Sequence, residues 1–298
     1  MLRRPGFFRI FLVLLLGYAV YAGYQRYQFN PPEKPEIIQF VPYNYKATGI
    51  RYPLIVFSHG FMGCPKQSMF LIQGLVRKGY IVLAPRHRDA TCGNDENNKF
   101  LSSFANLPIA QMNEVSFYKP EKWTEETEKD RMRDIRYTLD DALGDPVFAA
   151  SVDTDKIGLM GHSLGGYTVL GIAGANESWK DARVKSVLAL TPYVPPYLVR
   201  GTLKNITVPV MYHSGRTDWL TPSWMVHSAY HLNAPNKYYV EFSDDGHLSW
   251  MDLGKKDRRA EIIDYSAAFF DQTLKGQESD LLAGKPINDT ITFAKSAQ

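Results

Sequence analysis

Lys156-Ile-Gly-Leu-Met160, then Gly161-His-Ser-Leu-Gly-Gly166, then Tyr167-Thr-Val-Leu-Gly-Ile-Ala-Gly-Ala175 is the stretch that decides how this chain is read. The first part is an apolar run of strand length, the last a small-residue run of helical length, and the middle must turn sharply between them. A serine at the apex of such a turn sits in a strained backbone conformation with its hydroxyl clear of the strand ends. Gly161 and Gly165, two residues either side, are needed where a side chain would strike neighbouring backbone, and Gly166 lets the helix approach the sheet. A bare Gly-x-Ser-x-Gly match also occurs in ordinary turns. The flanking strand and helix give this one the context of a nucleophile elbow, with Ser163 as candidate nucleophile.

A serine hydroxyl attacks poorly until an imidazole accepts its proton, and a carboxylate must fix the imidazole tautomer and stabilise the imidazolium. In this type of sheet, acid and then base follow the serine on loops after later strands. The apolar run Val208-Pro-Val-Met-Tyr212 leads into Ser214-Gly-Arg-Thr-Asp218, which makes Asp218 the candidate acid. Lys237-Tyr-Tyr-Val-Glu-Phe242 leads into Ser243-Asp-Asp-Gly-His247, which makes His247 the candidate base. Asp244 and Asp245 are rival acids, but their place beside His247 reads as loop capping. His162, inside the turn, reads as packing, and His213, at a strand end, as support for the site. His227 and His231 are four residues apart on an expected helix and read as a solvated face. No metal and no cofactor are expected.

The oxyanion that forms on an attacked carbonyl needs two backbone N–H donors, one from the residue after the nucleophile and one from the loop after an upstream strand. Leu164 follows the nucleophile. Pro53-Leu-Ile-Val-Phe-Ser58 reads as the upstream strand, ending in His59-Gly-Phe-Met-Gly63, with Phe61 as the second candidate donor.

Ser-His-Gly-Phe at 58–61, His-Arg-Asp at 87–89, Gly-His-Ser-Leu-Gly-Gly at 161–166 and Gly-His-Leu-Ser at 246–249 together resemble one branch of the α/β-hydrolase superfamily. That branch contains dienelactone-hydrolase-like esterases, platelet-activating-factor acetylhydrolases of plasma type and polyester-cleaving cutinases. The resemblance covers roughly residues 37–275. It implies an α/β-hydrolase fold and a serine carboxylic ester hydrolase, with Ser163, Asp218 and His247 as the catalytic residues. Dienelactone hydrolases themselves use cysteine where this chain has serine, so the branch fits better than the enzyme that names it. His87-Arg-Asp89 is read as a structural, charged corner after the strand at Ile81–Ala84.

Composition bounds the rest. At 298 residues and 45% hydrophobic content the chain can bury one large core. A formal net charge of +3 without a clustered basic stripe argues against a nucleic-acid partner. Arg3, Arg4 and Arg9 precede an uncharged run from Ile10 to Tyr24. At ~1.5 Å per residue that run spans roughly 22 Å, less than the ~30 Å hydrocarbon core, so residues 1–24 read as a signal peptide cleaved after Ala22 or as an uncleaved membrane anchor. Either version exports the body of the chain, to the membrane surface, the periplasm or the medium. Residues 25–36, with three prolines, form a tether, 37–276 the hydrolase domain and 277–298 a polar tail.

Strands near 37–41, 54–58, 80–84, 156–160, 184–190, 208–212 and 238–242 alternate with helices at 67–78, 128–143, 165–175, 222–232 and 257–274, which predicts a mostly parallel sheet with helices on both faces. Pro192–Thr207 is too short for a large lid domain. Arg86–Thr127, rich in Asn, Pro and aromatics, is the candidate substrate-recognition segment. Trp219 and Trp250, beside acid and base in sequence, are candidate pocket residues. Cys64 and Cys92 fall on loops at the same sheet edge; a disulfide is one reading and two unrelated small residues the other. The expected substrate is a short or medium acyl ester, a small molecule or a lipid. Two rival functions stand beside this: a peptidase or thioesterase on the same fold, and a catalytically silent binding protein.

Overall fold

In the computed structural model of the chain, residues 34–47, 49–91, 117–284 and 286–296 are described. The expected export segment, residues 25–33 of the tether and most of Arg86–Thr127 lie outside them. The strands are β1 (Ile37–Phe40), β2 (Tyr52–Ser58), β3 (Ile81–Pro85), β4 (Val152–His162), β5 (Val184–Leu190), β6 (Val210–Gly215), β7 (Lys237–Phe242) and β8 (Ile291–Ser296). They form one sheet in the order β1-β3-β2-β4-β5-β6-β7-β8. The run from β3 to β7 is parallel throughout, while β1 on β3 and β8 on β7 are antiparallel edges.

The central strands are apolar on both faces because both faces are covered. In β2, Leu54 and Val56 enter one core and Ile55 and Phe57 the other. Helices α1 (Met69–Arg77), α2 (Lys129–Gly144), α3 (Leu164–Leu170), α4 (Pro195–Arg200), α5 (Ser223–Leu232) and α6 (Arg259–Lys275) supply the cover. Met132, Ile135 and Leu139 of α2, Val169 of α3 and Val226 of α5 pack into the first core. Leu71, Ile72 and Leu75 of α1, with Ile262, Phe269 and Phe270 of α6, pack into the second.

Two expectations about this frame need correction. The stretch 277–298 is no loose polar tail: β8 completes the sheet along the full length of β7, and Ile291 and Leu282 are buried in the second core. Its alternation is short and broken by Lys295, which hid it in the sequence. The helix expected at 165–175 ends as α-helix at Leu170 and continues as a wide turn through Gly174, whose φ is 132°. The 192–207 connection holds the short α4, begun by Pro195 and Pro196, and a 3-10 turn at Leu203–Asn205. Among the described residues no helix is long and apolar enough to cross a membrane.

Candidate active site

β4 delivers Ser163 at φ 55° and ψ −115°, in the left-handed half of backbone space that non-glycine residues rarely adopt. Such a conformation costs of order 1–3 kcal/mol and persists only where its surroundings enforce it. Ser163 N donates to Leu190 O at 3.0 Å, and Ser163 O accepts from Tyr193 N at 2.9 Å and Tyr167 N at 3.2 Å. A Cβ on Gly165 would overlap the carbonyl of Ser58, and one on Gly161 would overlap the backbone of Gly165. The glycines are required because the elbow is folded tightly against the end of β2.

Asp218 follows β6 and His247 follows β7, and the two meet across these paired strands, with His247 Nδ1 2.8 Å from Asp218 Oδ2. Both are buried. Asp218 Oδ1 accepts from the N–H groups of Leu220 and Thr221 at 2.9 Å each. Oδ2 also accepts from Thr191 Oγ1 at 2.5 Å and lies 2.8 Å from Thr221 Oγ1. Burial opposes the charge on this carboxylate, but the His247 contact and the hydroxyl and amide donors outweigh it and hold its pKa at about 2. Thr191, at the end of β5, has φ 40°, a strained value for a β-branched residue, and its hydroxyl is thereby aimed at the acid. Asp245 is not a rival: its carboxylate lies 3.3 Å from Arg258 Nε.

In the loop after β2, Gly60 N donates to Gln67 Oε1 at 3.0 Å, Met62 N to Asp89 Oδ2 at 2.9 Å and Gly63 N to Gly60 O at 2.9 Å. Phe61 N sits between them, and among the described residues neither it nor Leu164 N has a protein acceptor. Two N–H groups are therefore left over on the two segments, 59–63 and 163–165, that meet beside Ser163.

Sequence reading missed the side chains that hold this loop. Gln67 Nε2 donates to His162 Nδ1 at 2.8 Å, which leaves His162 Nε2–H to donate to His247 O at 2.9 Å. One amide side chain thus joins the oxyanion loop, the elbow and the histidine loop. Burial, followed by the nearby His247 charge, holds the His162 imidazole down to about 3, so it stays neutral. Arg131, fully buried on α2, donates to His59 O and Gly60 O and forks onto Asp89. His87 bridges Ser58 Oγ and Asp134 Oδ2, at 2.8 Å each. The His-Arg-Asp corner is structural, and its three residues pair in turn with Asp134, Asp130 and Arg131. No local pattern announces Gln67, Thr191, Thr221 or Arg131; only the fold brings them to the site.

The candidate pocket residues divide. Trp219 is 80% exposed beside Asp218, whereas Trp250 is fully buried, with Nε1 donating to His213 Nδ1 at 3.2 Å and its ring against Phe242. Trp250 is a core residue under the histidine loop and lines no cleft; the turn after His247 directs it inward. Burial holds His213 down to about 3 and hence neutral, which lets Nδ1 accept that bond. The proposed partner of Cys64, Cys92, lies outside the described residues. Aromatic rings gather near the elbow instead, with Phe117 5.2 Å from Phe61 and 5.0 Å from Tyr193, and Trp123 5.0 Å from Tyr167.

The fold compares with a solved ferulic acid esterase from Streptomyces cinnamoneus at a TM-score of 0.57 and 22% identity, over 83% of this chain and 74% of that one. The likeness shows an α/β-hydrolase fold. The family model of platelet-activating factor acetylhydrolase, isoform II, matches residues 43–136, from the turn before β2 into α2. Platelet-activating factor acetylhydrolase of Cavia porcellus is 30% identical over 173 residues, 50% of this chain and 37% of the relative. The same protein of Canis lupus familiaris is 29% identical over 202 residues, 58% of this chain and 44% of the relative. The matches thus span less than half the length of these relatives, and a shared hydrolase fold does not by itself fix an activity.

Proposed function

We propose that this α/β-hydrolase-fold protein is a serine carboxylic ester hydrolase in which Ser163, Asp218 and His247 are the catalytic residues and the N–H groups of Phe61 and Leu164 form the oxyanion hole. The observation that carries the reading is the conjunction of a strained serine, a buried Asp218–His247 pair at 2.8 Å and two unpaired amides on adjoining loops. Ser163 Oγ attacks the ester carbonyl while His247 Nε2 takes the hydroxyl proton, and the carbonyl electron pair moves onto oxygen, between the two N–H groups. The tetrahedral adduct collapses as His247 returns that proton to the departing alcohol oxygen, leaving an acyl-serine. Water repeats the sequence from the other side and releases the acid. Asp218, ionised across the working range, keeps the Nδ1 proton in place and stabilises the imidazolium.

The substrate class we infer is an ester with a short acyl group, on a small or lipid alcohol. Support comes from the acetyl group in the relatives' names. The peptidase, thioesterase and silent-binder readings have no observation of their own in their favour. Residues 1–24 are inferred to export the domain, 25–36 to tether it. A fluorophosphonate that cannot cross the inner membrane, applied to cells with a permeabilised outer barrier and to their medium, should label wild type and leave Ser163→Ala unlabelled, and the purified wild type should hydrolyse an acetyl ester. Labelling that persists in Ser163→Ala, or wild type that turns over no ester, sinks the enzymatic reading. Labelling only after lysis sinks export alone.

A further inference from the structure

We propose that Arg131, clamped by Asp89, is a positioning residue for catalysis that aims and strengthens the Phe61 N–H. This rests on the ester-hydrolase reading above. The Gly60 C=O and the Phe61 N–H belong to one planar trans peptide unit, so fixing the carbonyl on one side fixes the direction of the N–H on the other. Gly60 O accepts from His59 Nδ1 at 2.8 Å, Gly63 N at 2.9 Å and Arg131 Nη2 at 3.2 Å. The next peptide unit along is held through Met62 N on Asp89 Oδ2, and the preceding one through His59 O on Arg131 Nη1 at 2.8 Å. Three successive peptide planes therefore report to a single ion pair, Arg131 Nη2 to Asp89 Oδ1 and Oδ2 at 2.8 and 2.7 Å.

A buried guanidinium is expensive, and replacing such a pair with apolar residues often stabilises a protein. Its presence here, donating to the carbonyls of His59 and Gly60 while its partner Asp89 accepts from Met62 N, fits a role in the geometry of the Phe61 loop; Glu128, 3.5 Å from its Nε, completes its surroundings. Polarisation adds to positioning. A cationic donor on the Gly60 carbonyl draws electron density through the amide and makes the Phe61 N–H a better donor, an effect that matters most when the acceptor is a developing oxyanion. Asp89 is itself kept ionised: burial opposes its charge, but Arg131 and then His59 hold its carboxyl well below the usual carboxylate range. Arg131 and Asp89 also come from the two ends of the Arg86–Thr127 connection, beside the pairs Arg88–Asp130 and His87–Asp134. The chain on either side of residues 92–116 is thus anchored behind the loop that carries Phe61.

The test compares an acetyl ester with its thionoester, in which sulfur replaces the carbonyl oxygen and accepts hydrogen bonds poorly. Wild type, Arg131→Gln and the milder Asp89→Asn are assayed on both, with folding checked by thermal melting. In Arg131→Gln, kcat on the oxygen ester should fall about 10²-fold, the scale of one oxyanion donor, with KM changed little. The oxygen-to-sulfur rate ratio should fall by about tenfold or more, and Asp89→Asn should move both in the same direction by less. Loss of a purely structural contact would lower both rates together. Folded variants that keep the wild-type ratio, or that change KM alone, overturn the role of Arg131; if Arg131→Gln does not fold, Asp89→Asn decides on the same ratio. Wild type inactive on the oxygen ester overturns instead the ester-hydrolase reading on which this rests.

Discussion

The two halves of the site are built on opposite plans. The proposed acid–base side consists of side chains at the ends of neighbouring strands: Thr191 after β5, Asp218 after β6, His247 after β7. The proposed oxyanion side consists of backbone N–H groups, and the supports of the Phe61 loop, Gln67, Asp89 and Arg131, come from three different parts of the chain. The difference teaches that a site made of side chains can be small and local, while a site made of backbone must borrow its rigidity from elsewhere.

That contrast breaks most easily at the acid. Asp218→Asn should leave the fold in place but reduce kcat by about 10⁴, because an amide cannot hold both the Nδ1 proton and the positive charge that forms. A fall of less than about tenfold in a kinetic assay would mean that the acid is elsewhere. The same substitution sharpens the comparison through pH. A carboxylate held at about 2 contributes stability that is complete above the unfolded value of ~3.9 and is lost as pH falls through the folded value. Wild type should therefore lose about 2 kcal/mol more than Asp218→Asn between pH 4 and pH 2, measured by denaturant unfolding at each pH. Equal losses would show that the Asp218 contacts contribute nothing to folding.

Thr221→Val is the smaller test. Its hydroxyl touches Asp218 Oδ2 at 2.8 Å and Thr191 O at 3.1 Å, so its loss removes one hydrogen bond from an ionised acceptor. About 1.4 kcal/mol at the transition state corresponds to about tenfold in kcat. Rates at wild-type level would place the whole burden on Thr191 and the two amides.

The same division explains what the sequence made legible. Seven of the eight described strands, and the residues Asp218 and His247 that the fold pairs, were readable, because apolar runs have a period and the expected chemistry names its residue types. Phe61 and Leu164 were reachable through their place relative to a motif. Thr191 was not, since a threonine after a strand is ordinary until its backbone is seen at φ 40°. Arg131 lies on an amphipathic helix where arginine is expected at the surface, and only its burial reveals it. Trp250 misled in the other direction: nearness to His247 in sequence suggested a cleft wall, but three residues along a tight turn bring the ring into the core.

β8 carries a consequence for how this domain keeps to itself. β7 ends just before the loop that bears His247, and every residue from Lys237 to Phe242 faces a partner between Ile291 and Ser296; the loop continues the join, with Ser243 N on Thr290 O at 2.9 Å. Without that last strand, β7 would present a row of unpaired amides along an apolar edge, a template for another chain. Residues 34–276 alone should scatter light as they associate, at concentrations where residues 34–298 stay monodisperse. What looks like a trailing stretch is the seal on this edge of the sheet.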